Sequence, residues 1–486
     1  MAVVSMTKFK TLTYFKFEVF SLLTILFLGF FLAGCGGGGE GSSNNPISSA
    51  TYSISFYDEN LDFIITRQIE EGTNISSVEP YSTAWFKANE TSPLPTNYNL
   101  NESVTIYAVS NVQEITTKEG LNDIRYALNG KYVLLNDITL VEGKSGFDSI
   151  NGWTPIGDDT NHFTGIFNGN GYKITNLWIN KPNVDNIGLF GFITNAQIRN
   201  LGVEIADGKE IKGATNVGGI AGYVRSSNIS NSYTIGNVNG ANIHVGGIAG
   251  YAYGSNIANS YTTGNVSSSY EYVGGIAGNI DDSSIFNSYT TGNIKGYANV
   301  GGIAGHIHIS SIFNSYSTGN ISGIEHIGGI VGYVEGGSIS NSYSIANISG
   351  YGYYVGGIVG YSVVGTIQNN VAINPFITGK LYVNRVIGGT YVSSMGGNVG
   401  NSINNFASIG IVGGANYNGK TNSFSNNNDV RYHGIDKTVD LLKKKNTYLS
   451  GSLDWKFDGY NVNNPWIWGA FSDYPYPTFY WQTQKP

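Results

Sequence analysis

Residues 217–238 read VGGIAGYVRSSNISNSYTIGNV, and variants of this phrase recur up to residue 370. Gly-Gly pairs begin at 218, 246, 274, 301, 328 and 356, giving steps of 28, 28, 27, 27 and 28 residues. Asn-Ser-Tyr returns in step at Asn231, Asn259, Asn287, Asn314 and Asn341. A fixed period of this length predicts a solenoid, in which each unit packs on its neighbours because none can bury its own apolar face. Four apolar columns run through the units, starting at Val217, Ile220, Ile229 and Val238, and every member is Val or Ile. Such β-branched residues fit a pleated sheet and resist a helix. No Leu occurs between Leu201 and Leu381, which excludes a leucine-rich repeat. The first two columns lie three residues apart, an odd offset that would send them to opposite faces of a straight strand. Both face inward only if the Gly-Gly between them bends the chain, and a glycine free to take positive φ is the expected means. Each unit then closes one coil, and stacked coils pair in parallel about 4.8 Å apart.

The phrase, with its copies, resembles the GLUG repeat, named for its Gly-Leu/Ile-Val/Ala-Gly core. The flanks resemble proteins that carry it: WTPIG, FTGIFNGNGYKITNLWI and DNIGLFGFITNAQIRNLGV upstream, TYLSGSLDWKF and YPYPTFYWQ downstream. The resemblance covers about residues 114 to 486. It implies a bacterial surface or secreted protein, often an adhesin. The same repeats also decorate immunoglobulin A-cleaving metallopeptidases.

Open solenoid ends need covers. Leu121 to Leu128 reads as a short helix, with Thr116 and Glu119 spaced as a capping box and Leu121, Ile124 and Leu128 on one face. It is expected to plug the first coil. Thr438 to Asn446 is a second short helical pattern, followed by Trp455, Trp466, Trp468 and Trp481. This aromatic segment either seals the last coil by bulk or offers a carbohydrate platform.

Residues 52–109 alternate in short strands broken by Gly72, Pro80, Pro93 and Pro95. YSISFYDENLDFIITRQIEEG, then AWF around Trp85, then NESVTIYAVS resemble the Listeria–Bacteroides repeat, a small β-grasp-like module of bacterial surface proteins. Such modules act mostly as spacers.

At the N-terminus, Lys8, Lys10 and Lys16 precede an apolar run from Val19 to Phe31, thirteen residues long. That is short for a membrane span of about 20 residues and suits a signal-peptide core. Leu32-Ala33-Gly34-Cys35 follows and resembles a bacterial lipobox, which implies cleavage before Cys35 and acylation of that residue. Several acyl chains on one residue anchor a protein stably. Gly36, where an inner-membrane retention signal would show Asp, points to the outer membrane or cell surface. Cys35 is the one cysteine in the chain, so no intramolecular disulfide can form. The expected organisation is a signal peptide over 1–34, a Gly/Ser-rich tether over 35–49, a small β domain over 50–111, a β-helix with an N-terminal helical cap over 114–435, and an aromatic-rich cap over 436–486. The expected fold class is all-β, a right-handed parallel β-helix preceded by a β-grasp-like domain.

Composition limits the chemistry. Charged residues are 12% of the 486 and the net charge is −7, which speaks against a nucleic-acid partner. Between 216 and 370 seven charged side chains appear: Arg225, Glu271, Asp281, Asp282, Lys295, Glu325 and Glu335. Asp281 and Asp282 read as a solvated turn. There is no His-Glu-x-x-His, the zinc motif of the peptidases that share these repeats. His306 and His308 have no carboxylate or third His beside them in sequence, so no metal, cofactor or catalytic set is nominated.

Three columns remain. The Asn231 column is expected to form a ladder of amides bonded one to the next. The Tyr233 column is either a stacked ladder or an exposed stripe. The third signal lies where the units disagree. Asn216, His244, Tyr272, Asn299, His326 and Tyr354 share one position, and Tyr223, Tyr251, Asn279, His306, Tyr333 and Tyr361 share another. Variable positions in a rigid repeat are expected to face outward, and Tyr, His and Asn surfaces suit recognition. Tyr223, Tyr251, His306, Tyr333, Tyr361, His244, Tyr272, His326 and Tyr354 are therefore the candidate binding face, for a glycan or protein ligand on a host or neighbouring cell. The expected protein is a lipid-anchored, non-catalytic adhesin or surface scaffold. The alternatives are a β-helix enzyme acting on polysaccharide and an accessory subunit of a surface complex.

Overall fold

In the computed structural model the apolar columns become parallel rungs. Val245 pairs with Val273, Val273 with Val300, Val300 with Ile327, and Ile327 with Val355. The Ile229 column pairs likewise from Ile229 to Ile367, and the Val238 column from Val238 to Ile348. Every member of the four columns is at most 1% exposed. A fully buried Val or Ile contributes about 1.5–3 kcal/mol relative to an exposed one, so each coil is held mainly by its apolar rungs.

The structure describes residues 50–77, 84–95, 97–143 and 146–390, together with shorter stretches between 401 and 482. The signal peptide, the tether and Cys35 lie outside the described residues. Residues 50–486 cluster as one compact unit. Among the described residues no helix is long and apolar enough to cross a membrane.

One coil shows how the rest are built. Ala221–Arg225 and Asn228–Ser230 lie in a 16-stranded sheet, Tyr233–Ile235 in an 11-stranded sheet, Asn237–Gly240 in a 12-stranded sheet and Val245–Gly246 in a six-stranded sheet. Through the repeats these sheets are made of parallel neighbours 27 or 28 residues apart, so the protein is an all-β parallel solenoid.

The bend between the first two columns differs from expectation. Gly218 and Gly219 do not take positive φ. That role falls to the residue before the first column: Asn216 (55°), His244 (61°), Tyr272 (61°), Asn299 (53°), His326 (54°) and Tyr354 (62°). The glycines are needed for space instead. A Cβ on Gly247 would stand 2.3 Å from Thr262 Oγ1 and 2.4 Å from the Gly275 carbonyl oxygen of the next coil.

Asn-Ser-Tyr builds three ladders side by side. Asn259 Nδ2 donates to Asn231 Oδ1 at 2.9 Å, Asn287 to Asn259 at 3.1 Å, and Asn314 to Asn287 at 3.2 Å. These asparagines sit at φ near 50°, a conformation that Asn tolerates better than most side chains. The backbone N–H of Ser232, Ser260, Ser288 and Ser315 each donates to the serine hydroxyl one coil on, as from Ser260 to Ser288 at 3.2 Å, and Ser342 donates to Asn370 Oδ1. The tyrosines stack face to face, Tyr261 on Tyr289 at 4.9 Å and Tyr316 on Tyr343 at 4.9 Å. Of the two expectations for this column, the stacked ladder is what forms, since Tyr316 and Tyr343 are 3% and 0% exposed.

The C-terminal segment covers that ladder. Trp455, Trp466 and Phe479 form one core with Tyr316 and Tyr343. Tyr343 Oη donates to the Pro477 carbonyl at 2.7 Å. What is described of this segment thus lies along a side of the coils rather than over their end. Trp455 and Trp466 are 2% and 1% exposed, so their rings are core and not a carbohydrate platform. Trp481 lies outside the described residues.

At the other end the helix runs Lys118–Asp123 and continues as a 3-10 turn over Ile124–Tyr126. Its N-cap is Thr117, which accepts from the Gly120 N–H at 3.1 Å, not Thr116. Gly120 stands at the third helical position, so there is no capping box. Leu121 and Ile124 join the solenoid core.

The small domain is a four-stranded sheet. Strand Thr51–Tyr57 is antiparallel to Phe63–Glu70 and parallel to Val104–Tyr107, which is antiparallel to Phe86–Lys87. Phe56 packs edge-on to Trp85 at 5.1 Å in its core. A second cluster of Tyr57, Leu61, Tyr107, Val112 and Val133 joins it to the solenoid. Arg199 pairs with Asp62 at 3.3 Å, and Asn170 Nδ2 donates to Tyr57 Oη at 3.0 Å. The domain is therefore seated on the first coils.

Candidate functional site

The two variable columns turn out to be neighbours. Tyr223, Tyr251, Asn279, His306, Tyr333 and Tyr361 pair in register in the 16-stranded sheet, between the buried positions of Ala221 and Val224 and their equivalents. The other column occupies the positive-φ position at the start of the six-stranded sheet, within its strands at Asn299, His326 and Tyr354. A Tyr or His there costs about 1–3 kcal/mol that glycine would not, and such retained strain is a signpost toward function.

Side chains of the two columns interleave. His244 stacks on Tyr251 at 5.1 Å and meets Tyr272 at 5.2 Å. Tyr272 meets His306 at 5.3 Å, and His306 meets Tyr333 at 5.2 Å. His326 then touches Tyr333, Tyr354 and Tyr361 at 5.4, 5.4 and 5.1 Å. Tyr223 adjoins Tyr251 at 5.0 Å and Phe192 at 4.4 Å, and Phe192 stacks on His162 at 3.9 Å. All nine nominated residues thus belong to one continuous stripe of rings. They are not simply outward: eight are half-buried, and His306 is buried at 9% exposure.

Asparagines of the same columns orient the imidazoles. His244 Nδ1 donates to Asn216 Oδ1 at 2.9 Å, His306 to Asn279 at 3.1 Å, and His326 to Asn299 at 2.8 Å. Burial pushes each of these histidines down to about 4, so they are neutral at pH 7 and Nε2 is left as an acceptor. Tyr251 Oη is raised by burial first and by the Asp281 carboxylate next, and stays a donor.

Beside the stripe, stacking assembles a cluster that linear spacing hid. Asp281, His308 and Glu335 occupy one rung position on three successive coils. Asp281 accepts from His308 Nδ1 at 2.7 Å and from Tyr251 Oη at 3.3 Å. His306 Nε2 lies 3.6 Å from Glu335 Oε2. Carboxylates absent beside His306 and His308 in sequence thus reach them from neighbouring coils, and the expected solvated turn is corrected: Asp281 is half-buried in this cluster while Asp282 alone is exposed. The 27-residue step that defines the repeat would have found it, since 281, 308 and 335 are one period apart. Among the described residues no group of three or more His, Cys, Asp or Glu could hold a metal ion. The same step reveals a second missed feature: Tyr270, Tyr297 and Tyr351, 55%, 47% and 77% exposed, stand on the loops that lead into the positive-φ column.

The GLUG motif model matches residues 241–267 and 323–349. A "Putative Gly-rich membrane protein" of Evansella cellulosilytica is 55% identical over 51 residues, which is 10% of this chain and 6% of that protein. "Halomucin" of Haloquadratum walsbyi is 29% identical over 136 residues, 27% of this chain and 1% of that protein. The chain thus spans only a small fraction of these curated relatives. A solved structure described as a "putative immunoglobulin A1 protease" from Bacteroides ovatus is 22% identical with a TM-score of 0.39, covering 76% of this chain and 93% of that one. A second, "IgA1 Protease", is 18% identical with a TM-score of 0.33, covering 67% and 23%. At such distances neither carries an inference about fold or activity. The chain thus carries the GLUG motif in two of its repeats, and those repeats belong to a parallel β-solenoid.

Proposed function

We propose that this chain is a cell-surface protein, held at the outer membrane through a lipid on Cys35, that binds a glycan or protein ligand without catalysis through its ring stripe. The observation that carries the reading is the stripe itself. Large aromatic and imidazole side chains are kept at positive φ, at a cost in stability, where Asn serves equally well in sister coils. Tyr hydroxyls and neutral imidazoles provide donors and acceptors on a rigid backbone, the arrangement expected of a recognition surface. The names of the two relatives, a membrane protein and a halomucin, fit a surface location. Residues 50–486 probed on a glycan and extracellular-matrix array test the binding. A ligand lost on replacing Tyr251 and Tyr333 by Ala supports it, and an array with no ligand refutes it. Labelled palmitate incorporated by the full chain, and abolished in Cys35→Ser, tests the anchor.

A second reading, an enzyme acting on polysaccharide, is favoured by the Asp281–His308–Glu335 column. A carboxylate that orients an imidazole is a common catalytic pairing. Release of reducing ends from surface polysaccharides, abolished in His308→Gln, would establish it.

A further inference from the structure

The first coils of the solenoid surround a cleft of about 640 Å³ that is separate from the rings of the stripe. Its walls come from three segments: the turn after the N-terminal helix, the loop from Thr154 to Asn161, and the loop from Lys181 to Ile187. Two cations meet there. Arg125 is fixed by donating to Asn122 Oδ1 at 2.9 Å and to the Pro155 carbonyl at 2.6 Å, and it lies 4.7 Å over the Trp153 ring. Lys181 Nζ donates to Thr154 Oγ1 at 3.1 Å. Neither cation belongs to an ion pair among the described residues.

The nearby carboxylates are occupied by the loops. Asp158 accepts from the N–H groups of Thr160 and Asn161, Asp185 from that of Thr215, and Asp159 from Asn186 Nδ2. Burial lowers the Lys181 pKa, with Asp148 opposing the shift and Arg125 adding to it, and Asp148 is itself held by the N–H groups of Ile150 and Asn151. At the rim Tyr126 is 83% exposed. A ligand that completes this cleft brings a negative charge for Lys181, an apolar ring face for Tyr126, and hydroxyls for the loop amides and carboxylates.

We propose that the cleft binds an acidic sugar residue, with its carboxylate toward Lys181 and its ring against Tyr126. The volume exceeds what a free carboxylate or phosphate would fill, and three Asp around the mouth disfavour a polyanion such as nucleic acid. The cleft adjoins one end of the positive-φ column, because its Asn186 accepts from Asn216 Nδ2 at 2.8 Å. The inference names a ligand class within the surface-binding reading, but it needs the cleft alone and stands if the stripe binds nothing.

Calorimetric titration of residues 50–486 with methyl galacturonoside and with sialyllactose tests it, using the methyl ester of the galacturonoside and lactose as neutral counterparts. At least one acidic probe should bind about ten-fold or more tightly than its neutral form, and more weakly as salt rises. That preference tells uronate from sialate. Lys181→Gln and Tyr126→Ala should each weaken binding about ten-fold with the melting temperature unchanged, whereas Tyr251→Ala/Tyr333→Ala should leave it intact. Equal affinity for acidic and neutral forms, no binding of either acidic probe, or full binding by Lys181→Gln would each overturn the assignment.

Discussion

His244 and Tyr251 lie seven residues apart in sequence and stack with their ring centres 5.1 Å apart at 26°. The first holds a positive φ just before Val245–Gly246 of the six-stranded sheet, and the second lies on Ala249–Tyr253 of the 16-stranded sheet. Their contact joins the two variable columns into a single surface.

That junction makes the stripe testable as a unit. Tyr251→Ala/Tyr333→Ala removes two rings from half-buried outward positions without opening the apolar rungs. Circular dichroism should keep its β signature while ligand binding on an array falls about ten-fold or more, since aromatic residues dominate such surfaces. Unchanged binding would separate the stripe from recognition.

Acid should weaken the fold. His244, His306 and His326 are pushed by burial to about 4 when folded and return to the ordinary 6.5 when unfolded. Between those values the unfolded chain binds more protons, so stability is full above about 6.5 and falls as the pH drops toward 4. One pKa unit corresponds to about 1.4 kcal/mol, so even a single such histidine contributes on the order of 2–3 kcal/mol over that window. Urea midpoints measured at pH 7 and pH 4.5 should show the drop. His244→Asn/His306→Asn should flatten it, because Asn fills the same column positions in sister coils.

The glycine pairs can be tested for space rather than flexibility. Gly247→Ala would press its Cβ against Thr262 and the backbone of the next coil. Overpacking of this kind costs about 1–3 kcal/mol, to be read from the urea midpoint. A neutral substitution would show that the coils can part.

The amide ladder separates backbone strain from hydrogen bonding. Asn314 has φ of 50°, is 7% exposed and donates to Asn287 Oδ1. Asn314→Ala loses the bond and keeps the strain, whereas Asn314→Gly loses the bond and relieves it. Alanine should therefore destabilise more than glycine, by about 1 kcal/mol in chemical denaturation.

Much of the solenoid could be read before any coordinates. A period of 27 or 28 residues with only Val and Ile in four columns leaves few ways to bury those side chains, and all of them are buried. The Asn ladder was legible for the same reason, since identical residues stacked one coil apart can only meet each other. The means of the bend was not legible: Gly-Gly suggested positive φ, yet the geometry assigns it to Asn216 and its equivalents. Both roles suit glycine, and only contacts with the next coil tell them apart.

Local pattern along one chain determined the rungs, the ladders and the residues of the stripe, because a repeat places equal residues at equal heights. Tertiary structure alone decided which unlike residues meet. It set Asp281 against His308 and Tyr251, laid Trp466 on the Tyr343 face, and gathered Arg125, Lys181 and Tyr126 around one cleft. Periodicity fixes what lies directly above and below a residue. The approach of side chains from different columns depends on the angles at which the coil turns its corners, and those angles are set by packing.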